Sequence, residues 1–478
     1  MNIRYTLMAA AIFACFVTVS AVNAQNGRLS PKPTPKPTPR VMQPQPQPAA
    51  APPAKAVEFY NQGKAFWKSF DISDAIEALT KAIEIHPNYI DALSERGTIY
   101  FLTRKHQLAV NDLDKVLAAQ PNNTKMLHYR GMALTELAVK TKDDDNDRKT
   151  AGDIAQRALA DLSKAIEISP SEFPYYNSRG KLLLEFSFYK ESITDFDKSI
   201  AIKANGVALA HRGLAKYYLD DTNAIDDLNQ AVKIAPDYPD AFYIRGTVHR
   251  DNGKLRDALL DLDEAIRLAK YNEKYFNTRG MLYFRLQDGY MAVADFTNAI
   301  KEKPDYATAY FNRAVTYKRF PYSVSTDGNA IDKIRLQHTK MLEDLSAAIR
   351  YKPNFDAALV ERGLIYSTDM RNKSTPDAET IQRLKLALSD FEQAIKHNPK
   401  NADAYNGRAS VNDDLGKKDL ALADYTKAIA LDPTLATAYM GRMAIYCEQG
   451  KKDLSIADEK KVRELGLAVI NVCNLGGK

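Results

Sequence analysis

The sequence predicts an all-α fold, a right-handed α-solenoid of about eleven helix–turn–helix repeats. An arginine recurs along the chain, mostly at intervals of 33 or 34 residues, as from Arg245 to Arg279. Each interval contains two stretches whose apolar residues have helical spacing. The second stretch carries an aspartate flanked by small residues and often ends at a proline, as Asp424 and Pro433 show. Because proline cannot continue a helix, the pattern predicts two helices and a turn per repeat.

The first 24 residues predict a secretory signal peptide. Arg4 supplies a short positive segment, residues 7–19 are apolar, and small residues up to Ala24 suit a cleavage site. The apolar run is short for a membrane span. The alternative is an uncleaved signal anchor. We expect the protein to contact a membrane only in that case.

Residues 25–56 predict a linker without a core. They contain PKPTPKPTPR and QPQPQPAAAPP, in which proline fixes φ and favours extended polyproline II. The linker is interpreted as a spacer between the envelope and the folded part of the chain. The alternative is a ligand for a proline-binding partner.

The body of the chain is formally neutral. The chain has 66 basic and 60 acidic residues, and six of the basic residues precede Val57, where no Asp or Glu occurs. From Val57 onward, 66 minus 6 leaves 60 basic residues against 60 acidic ones. A surface that binds nucleic acid needs positive charge to neutralise phosphates, so this balance argues against a nucleic-acid partner.

The repeats are predicted to span residues 57–466, followed by a C-terminal tail at 467–478. Three longer intervals between the arginine and the aspartate of one repeat predict insertions near 138–152, 320–337 and 368–382. Because the insertions fall between the two helices of a repeat, they should leave the stacking of repeats intact. The first contains KTKDDDNDRKT, which is read as a solvated loop or helix extension, since it lacks the order of a calcium-binding EF-hand loop.

The two ends of the array differ from the middle. In the last repeat Glu459 replaces the leucine or aromatic residue that usually follows the aspartate, which predicts a polar outer face. Cys447 and Cys473 are the cysteines that remain after removal of the signal. In an exported chain they form either a disulfide or two free thiols, and the sequence leaves both open.

The repeat unit resembles the tetratricopeptide repeat. Its glycine, following aromatic, alanine, leucine or aromatic, second alanine and proline recur in phase over nearly all of residues 57–466. Three repeats have Ala204, Lys270 and Leu467 in place of the proline. The resemblance implies a non-enzymatic scaffold whose first helices line a concave surface that holds a peptide or a partner helix.

Each arginine is predicted to form an ion pair with the aspartate of its own repeat. The first repeat has Gln62 and Ala78 in these two positions, so both charges are lost together. A guanidinium can meet a carboxylate with two hydrogen bonds, which offsets the cost of burying either charge. The alternative is a ladder of arginines that faces an acidic ligand. The predicted pairs are Arg96–Asp112, Arg130–Asp161, Arg179–Asp195, Arg212–Asp227, Arg245–Asp261, Arg279–Asp295, Arg313–Asp344, Arg362–Asp390, Arg408–Asp424 and Arg442–Asp458.

No motif in the sequence predicts catalysis, a cofactor or a metal site. The seven histidines show no HExxH spacing, and the chain has no GxSxG, phosphate-binding glycine run or CxxC. We therefore predict that the protein is not an enzyme, although an active site assembled from distant repeats is an alternative.

The resemblance implies that the partner is a protein or peptide held by the inward side chains of the first helices. Aromatic residues would anchor apolar groups, and asparagines would bond a peptide backbone. An alternative ligand is an envelope glycan, whose sugars would stack on the aromatic rings. The candidate contact residues are Tyr60, Trp67, Phe101, Asn177, Tyr217, Tyr243, Asn277, Phe284, Phe311 and Asn406. With the signal peptide, this predicts an exported scaffold in the periplasm or at the cell surface.

Overall fold

The computed structural model describes residues 51–142, 148–321, 330–368 and 377–468. The signal peptide, most of the linker (25–50), the centres of the three insertions and the end of the tail, including Cys473, lie outside the described residues. Those described form 22 α-helices and no strands, so the fold is an all-α solenoid. They divide into two compact units, one up to Val248 and one from His249.

Helices pair in sequence order, so that α1 and α2 make the first repeat and α21 and α22 the eleventh. Odd-numbered helices are the first helices of their repeats, and even-numbered helices are the second. The first unit contains α1 (Ala54–Lys68), α2 (Ile72–Ile85), α3 (Ile90–Leu102), α4 (His106–Ala119), α5 (Thr124–Lys142), α6 (Arg148–Ile168), α7 (Phe173–Glu185), α8 (Tyr189–Ile202), α9 (Gly206–Tyr218), α10 (Ala224–Ile234) and most of α11 (Pro239–Asp251). The second unit contains α12 (Leu255–Leu268), α13 (Glu273–Arg285), α14 (Gly289–Glu302), α15 (Ala307–Arg319), α16 (Ala330–Tyr351), α17 (Asp356–Ser367), α18 (Ala378–His397), α19 (Ala402–Asp414), α20 (Lys418–Leu431), α21 (Ala436–Glu448) and α22 (Lys452–Glu464).

The start of α1 differs slightly from the predicted boundary at residue 57. The helix begins at Ala54, directly after Pro53. Proline suits the start of a helix because the first N–H groups need no intrahelical acceptor, and alanine has the strongest helix propensity.

The insertions lengthen helices. Most helices have 13 or 14 residues, whereas α5, α6, α16 and α18 have 19, 21, 22 and 20. Each of them joins the described part of an insertion to a helix of ordinary length.

The two helices of a repeat are held by a close contact between a glycine and a large side chain. Gly180 in α7 lies against Phe196 in α8, and Phe196 is fully buried. Gly280 lies against Phe296 in the same way. Because glycine has no Cβ, the aromatic ring can approach the backbone of the first helix. This contact explains why glycine follows the arginine in most repeats.

Several tight turns from a first to a second helix use one residue with a positive φ. Arg104 has φ 59° and Gly253 has φ 75°. The left-handed conformation ends the first helix and reverses the chain within a few residues.

Glu459 lies in the last repeat, where the sequence predicts a polar outer face. Its side chain is 12% exposed and accepts hydrogen bonds from Arg463 on the next turn of α22, the shortest at 2.7 Å. The guanidinium therefore covers the carboxylate, and the charge presented to solvent is that of Arg463, whose side chain is 59% exposed.

Candidate functional site

First helices of neighbouring repeats contact one another within each unit. Helix α3 contacts α5, α5 contacts α7, and α7 contacts α9, although each pair is separated in sequence by a second helix. In the second unit, α13 contacts α15, and α17 and α21 both contact α19. We refer to the surface of these first helices as the first-helix face, and the candidate contact residues lie along it.

Beside this face runs the series of arginines, and the structure shows nine of the predicted pairs. Arg Nε and Nη2 each donate to one oxygen of the aspartate carboxylate, at 2.6–2.9 Å. These aspartates are buried, and the arginine side chains are 13–26% exposed. The pair predicted for Arg245 and Asp261 stays a prediction, because the two residues belong to different units.

The electrostatics of the pairs follow from their burial. At Asp195, burial raises the pKa of the carboxyl, and the two hydrogen bonds from Arg179 oppose this rise. For Arg179, burial alone would lower the pKa, but the hydrogen bonds and the charge of Asp195 outweigh it, and the pKa is raised. The guanidinium is therefore an internal counter-ion of the fold, with its Nε and Nη2 donors committed to Asp195.

Nine of the ten arginines also donate a hydrogen bond to the preceding repeat, which the sequence reasoning missed. Arg179 Nη1 donates to Ser163 Oγ at 3.2 Å, and Arg279 Nη1 donates to Asp263 Oδ1 at 2.8 Å. The acceptor always lies two residues after the aspartate position of the preceding repeat. The nine acceptors bonded in this way are Thr80, Asp114, Ser163, Asp197, Asn229, Asp263, Thr297, Ser346 and Thr426.

A signal for this contact was present in the sequence. The acceptor position holds Glu392 before Arg408, so an oxygen-bearing side chain precedes every one of the ten arginines. After the last aspartate the same position holds Lys460, which has no oxygen to offer. The arginine thus joins three helices, two of its own repeat and the second helix of the repeat before it.

Aromatic rings cover the faces of several of these guanidiniums. The Arg279 guanidinium carbon lies 6.0 Å from the Phe276 ring and 5.8 Å from the Tyr283 ring. Arg442 lies 5.8 Å from both Tyr439 and Tyr446. The aromatic residues that flank the arginine in sequence therefore shield it from solvent and add cation–π attraction.

In the first two repeats, the candidate aromatics pack against each other and against neighbours. The Tyr60 and Tyr89 rings are 5.1 Å apart, and Lys64 Nζ lies 5.2 Å from the Tyr60 ring. Trp67 packs against the same core, and Phe101 lies 5.6 Å from Tyr129 in the next repeat. All three candidates are half-buried, so each retains an exposed part on the first-helix face.

The remaining candidate aromatics also pack against neighbouring side chains and are half-buried. Tyr217 and Tyr243 border the apolar cluster that contains Leu209 and Leu228. The Phe284 ring meets Phe320 at 5.5 Å, and Phe311 meets Phe355 at 4.8 Å. The structure thus gives each ring a packing role. The neighbours from adjacent repeats were not foreseen, because they come from different helical positions.

The three candidate asparagines bridge neighbouring first helices. Asn177 donates to Asn205 Oδ1 at 3.1 Å, immediately before α9. Asn277 accepts from Asn312 Nδ2 at 2.9 Å, and Asn406 donates to Thr437 Oγ1 at 3.2 Å. An amide can make more than one hydrogen bond, so these bridges leave donors and acceptors for a ligand.

His128 lies on the same face, between two repeats. Its Nε2 is 2.7 Å from Ser178 Oγ in α7, and its ring lies 4.7 Å from the Tyr175 ring. Burial lowers the pKa of His128 to about 4. A neutral imidazole therefore joins α5 to α7 at neutral pH.

The described residues include no group of three or more His, Cys, Asp or Glu side chains that could hold a metal ion. Among the described helices, none has the length and apolar character that crossing a membrane requires. Cys447 is disulfide-bonded.

A family model for the tetratricopeptide repeat matches residues 60–124, 222–273 and 376–436. The three matched segments lie in the first, middle and last thirds of the helical array. The chain is a tetratricopeptide repeat protein. Tetratricopeptide repeat proteins serve as scaffolds for protein–protein interaction, and the family is generally non-enzymatic.

Curated relatives carry the same repeats in longer chains. Hsp70-Hsp90 organizing protein 3 of Arabidopsis thaliana is 23% identical over 280 residues, which cover 56% of this chain and 44% of the relative. Tetratricopeptide repeat protein 13 of Homo sapiens is 26% identical over 190 residues, covering 37% of this chain and 20% of the relative. This tetratricopeptide repeat protein thus spans less than half the length of either relative.

Solved structures with the same repeats are similar at low identity. A tetratricopeptide repeat protein from Parabacteroides merdae has a TM-score of 0.46 and 18% identity, covering 55% of this chain and 98% of the other. Yeast Tom70 has a TM-score of 0.40 and 14% identity, covering 86% of this chain and 99% of the other.

Proposed function

We propose that the chain is an exported, non-enzymatic scaffold of the cell envelope that binds peptide or protein partners on the first-helix face. The observation that supports this most is that each first helix has one set of side chains that stabilises the fold and another set that is half-exposed. The arginine and the glycine serve the fold through Asp195 and Phe196 and their equivalents. The half-exposed side chains beside them on the first helices differ from repeat to repeat and lie on the first-helix face of each unit.

The chemistry of this face suits an extended peptide or a partner helix. Half-buried rings such as Trp67 and Phe284 provide apolar anchors whose positions are already fixed by packing. Rigid aromatic anchors lose little entropy on binding. Asn277 and Asn406 supply amides beside them for hydrogen bonds to a peptide backbone.

A pull-down with the purified chain tests this proposal. The chain without residues 1–24 is incubated with envelope extract and, separately, with purified cell wall from which protein has been removed. We expect retention of a discrete protein from the extract and no sedimentation with the wall. Sedimentation with the wall alone would contradict a protein partner.

An envelope glycan is the second candidate ligand, because aromatic rings are exposed outside the packed rows. The Tyr189 and Tyr218 rings stack at 5.0 Å, and Tyr218 is 50% exposed. Binding to the wall that is lost in Tyr218→Ala would support this ligand.

The cellular location is tested separately. N-terminal sequencing of the mature protein is expected to begin at Gln25, in the envelope fraction of the cell. A protein that keeps Met1 and fractionates with the cytoplasm would contradict export.

A further inference from the structure

A cavity of about 390 Å³ lies between repeats 2 and 3, on the side of the second helices. Its apolar wall includes Leu117 of α4, Pro121 of the following turn and Leu127 of α5. Its polar wall includes Arg157 and Lys164, both of α6. The volume falls within the range of small-molecule sites, which combine an apolar lining with a few polar groups.

The cavity is bordered by more positive than negative side chains. Arg130 is committed to two carboxylates, Asp161 within its own repeat and Asp114 in the preceding one. Asp114 also accepts from Arg157 Nη2, at the longer distance of 3.3 Å. Lys164 Nζ donates to the Pro121 carbonyl oxygen at 2.6 Å and contributes a further positive charge. Three cations therefore border the cavity with two carboxylates, which leaves one positive charge in excess.

The two cations occur together in this repeat alone, although a lysine recurs at the position of Lys164, as Lys81, Lys115, Lys198, Lys427 and Lys461. Arg157 lies four residues before the aspartate of its repeat, and Lys164 lies three residues after it. The only other basic residue in the first of these positions is Lys340 in repeat 8, where the second position holds Ala347. The other residues in the first position are Asp74, Leu108, Glu191, Asn223, Asp257, Met291, Leu386, Leu420 and Leu454. Since the remaining repeats fold without this pair of cations, stacking does not require it.

We propose that this cavity binds a small organic carboxylate. Its carboxylate would be held by Arg157 and Lys164, and its aliphatic part would lie against Leu117 and Leu127. A monoanion fits better than a phosphate dianion, because Asp114 and Asp161 border the same cavity and repel a second negative charge. This site is separate from the first-helix face and does not depend on the function proposed for that face.

Isothermal titration calorimetry of the chain without residues 1–24 tests the proposal, with 4-methylpentanoate as the probe. We expect saturable binding in roughly the millimolar range, as befits a small ligand. The double variant Arg157→Gln/Lys164→Gln is expected to weaken this binding at least about tenfold, because both contacts to the carboxylate are lost. The uncharged 4-methylpentanamide and inorganic phosphate are expected to bind more weakly than the probe.

A matched control removes the same charges from equivalent positions in other repeats. Lys340→Gln/Lys198→Gln changes the position four before the aspartate in repeat 8 and the position three after it in repeat 4. This variant should bind the probe like the wild type.

A second variant tests whether binding depends on the open volume of the cavity as well as on its charges. Ala118→Phe places a ring at the cavity and leaves Arg157 and Lys164 in place, so binding should be lost while circular dichroism stays unchanged. The proposal is overturned by absence of saturable binding, by equal affinity in the double variant, or by tighter binding of phosphate than of the probe.

Discussion

At the scale of single residues, the arginine that recurs in the repeats is a structural residue. It lies beside the first-helix face, where a ligand-binding role would be expected from its charge. Its Nε and Nη2 donors face the aspartate of its own repeat, and its Nη1 faces the repeat before. The side chains that remain for a ligand are its neighbours on the same helix.

Replacement of Arg179 by alanine tests this structural role. Asp195 is 3% exposed and would be left without its counter-ion. We expect the free energy of unfolding to fall by about 3–5 kcal/mol, the usual cost of breaking a buried ion pair. Urea denaturation followed by circular dichroism measures the change.

Two further variants are controls for this experiment. Arg267→Ala removes an exposed partner of Glu264, so it should lower stability far less than Arg179→Ala does. Arg179→Met/Asp195→Leu should recover much of the loss, because no charge is then left buried. An Arg179→Ala variant as stable as Arg267→Ala would contradict the structural role.

His128 should make stability depend on pH. The imidazole of the folded chain has a pKa of about 4, whereas that of the unfolded chain has the ordinary value near 6.5. Between these values the unfolded chain binds more protons, so stability falls as the pH decreases from 6.5 towards 4. At pH 4.5, protonation of His128 in the unfolded chain is expected to have lowered the free energy of unfolding by about 2 kcal/mol.

The pH effect is measured by urea denaturation at pH 7.0 and 4.5, with His128→Gln as the test variant. This variant should lose less stability than the wild type between the two pH values. Equal losses in the wild type and His128→Gln would show that burial of this ring does not control the pH dependence.

At the scale of helices, the contact between glycine and an aromatic ring fixes how closely the two helices of a repeat approach. A Cβ at Gly180 would lie 2.8 Å from Phe196 Cε1. Because Phe196 is fully buried, the ring has little room to move, and Gly180→Ala should cost about 1–3 kcal/mol. Thermal and urea denaturation measure the loss.

A double-mutant cycle isolates this contact. Repeat 8 already combines alanine with leucine, as Ala314 and Leu345 within one buried cluster. Phe196→Leu should therefore be less damaging in Gly180→Ala than in the wild type, with a coupling of about 1 kcal/mol. Additive effects of the two substitutions would contradict the proposed clash.

The turns between helices allow a reciprocal test of backbone strain. Arg104 adopts φ 59°, which a side chain with a Cβ adopts at a cost, whereas Gly253 adopts φ 75° freely. Arg104→Gly should raise the free energy of unfolding by about 0.5–1 kcal/mol, and Gly253→Ala should lower it by a similar amount. Changes of the same sign in both variants would show that φ does not control the stability of these turns.

At the scale of the whole molecule, the repeat pattern made the helical fold predictable. The joint loss of both charges at Gln62 and Ala78 also indicated which partner each arginine takes. The acceptor in the preceding repeat was harder to find, because Thr, Ser, Asp and Asn share an oxygen and no common shape. Contacts such as Phe311 with Phe355 depend on the rotation of one repeat against the next, which helical periodicity does not specify.

The arrangement of contacts assigns different roles to the parts of the chain. The arginines connect each repeat with the one before it, so the array is stabilised by nearest-neighbour contacts. The residues that vary between repeats are then available for recognition. This assignment makes the first-helix face, and not the outer surface of the second helices, the expected binding surface for a protein or peptide partner.

Photo-crosslinking in intact cells tests this claim most directly. A photoreactive amino acid is placed at Lys181, exposed on the first-helix face, or at Lys198, exposed on the second helix of the same repeat. We predict a discrete adduct with a protein partner from position 181 and none from position 198. Equal adducts from both positions, or adducts from position 198 alone, would contradict recognition by the first-helix face.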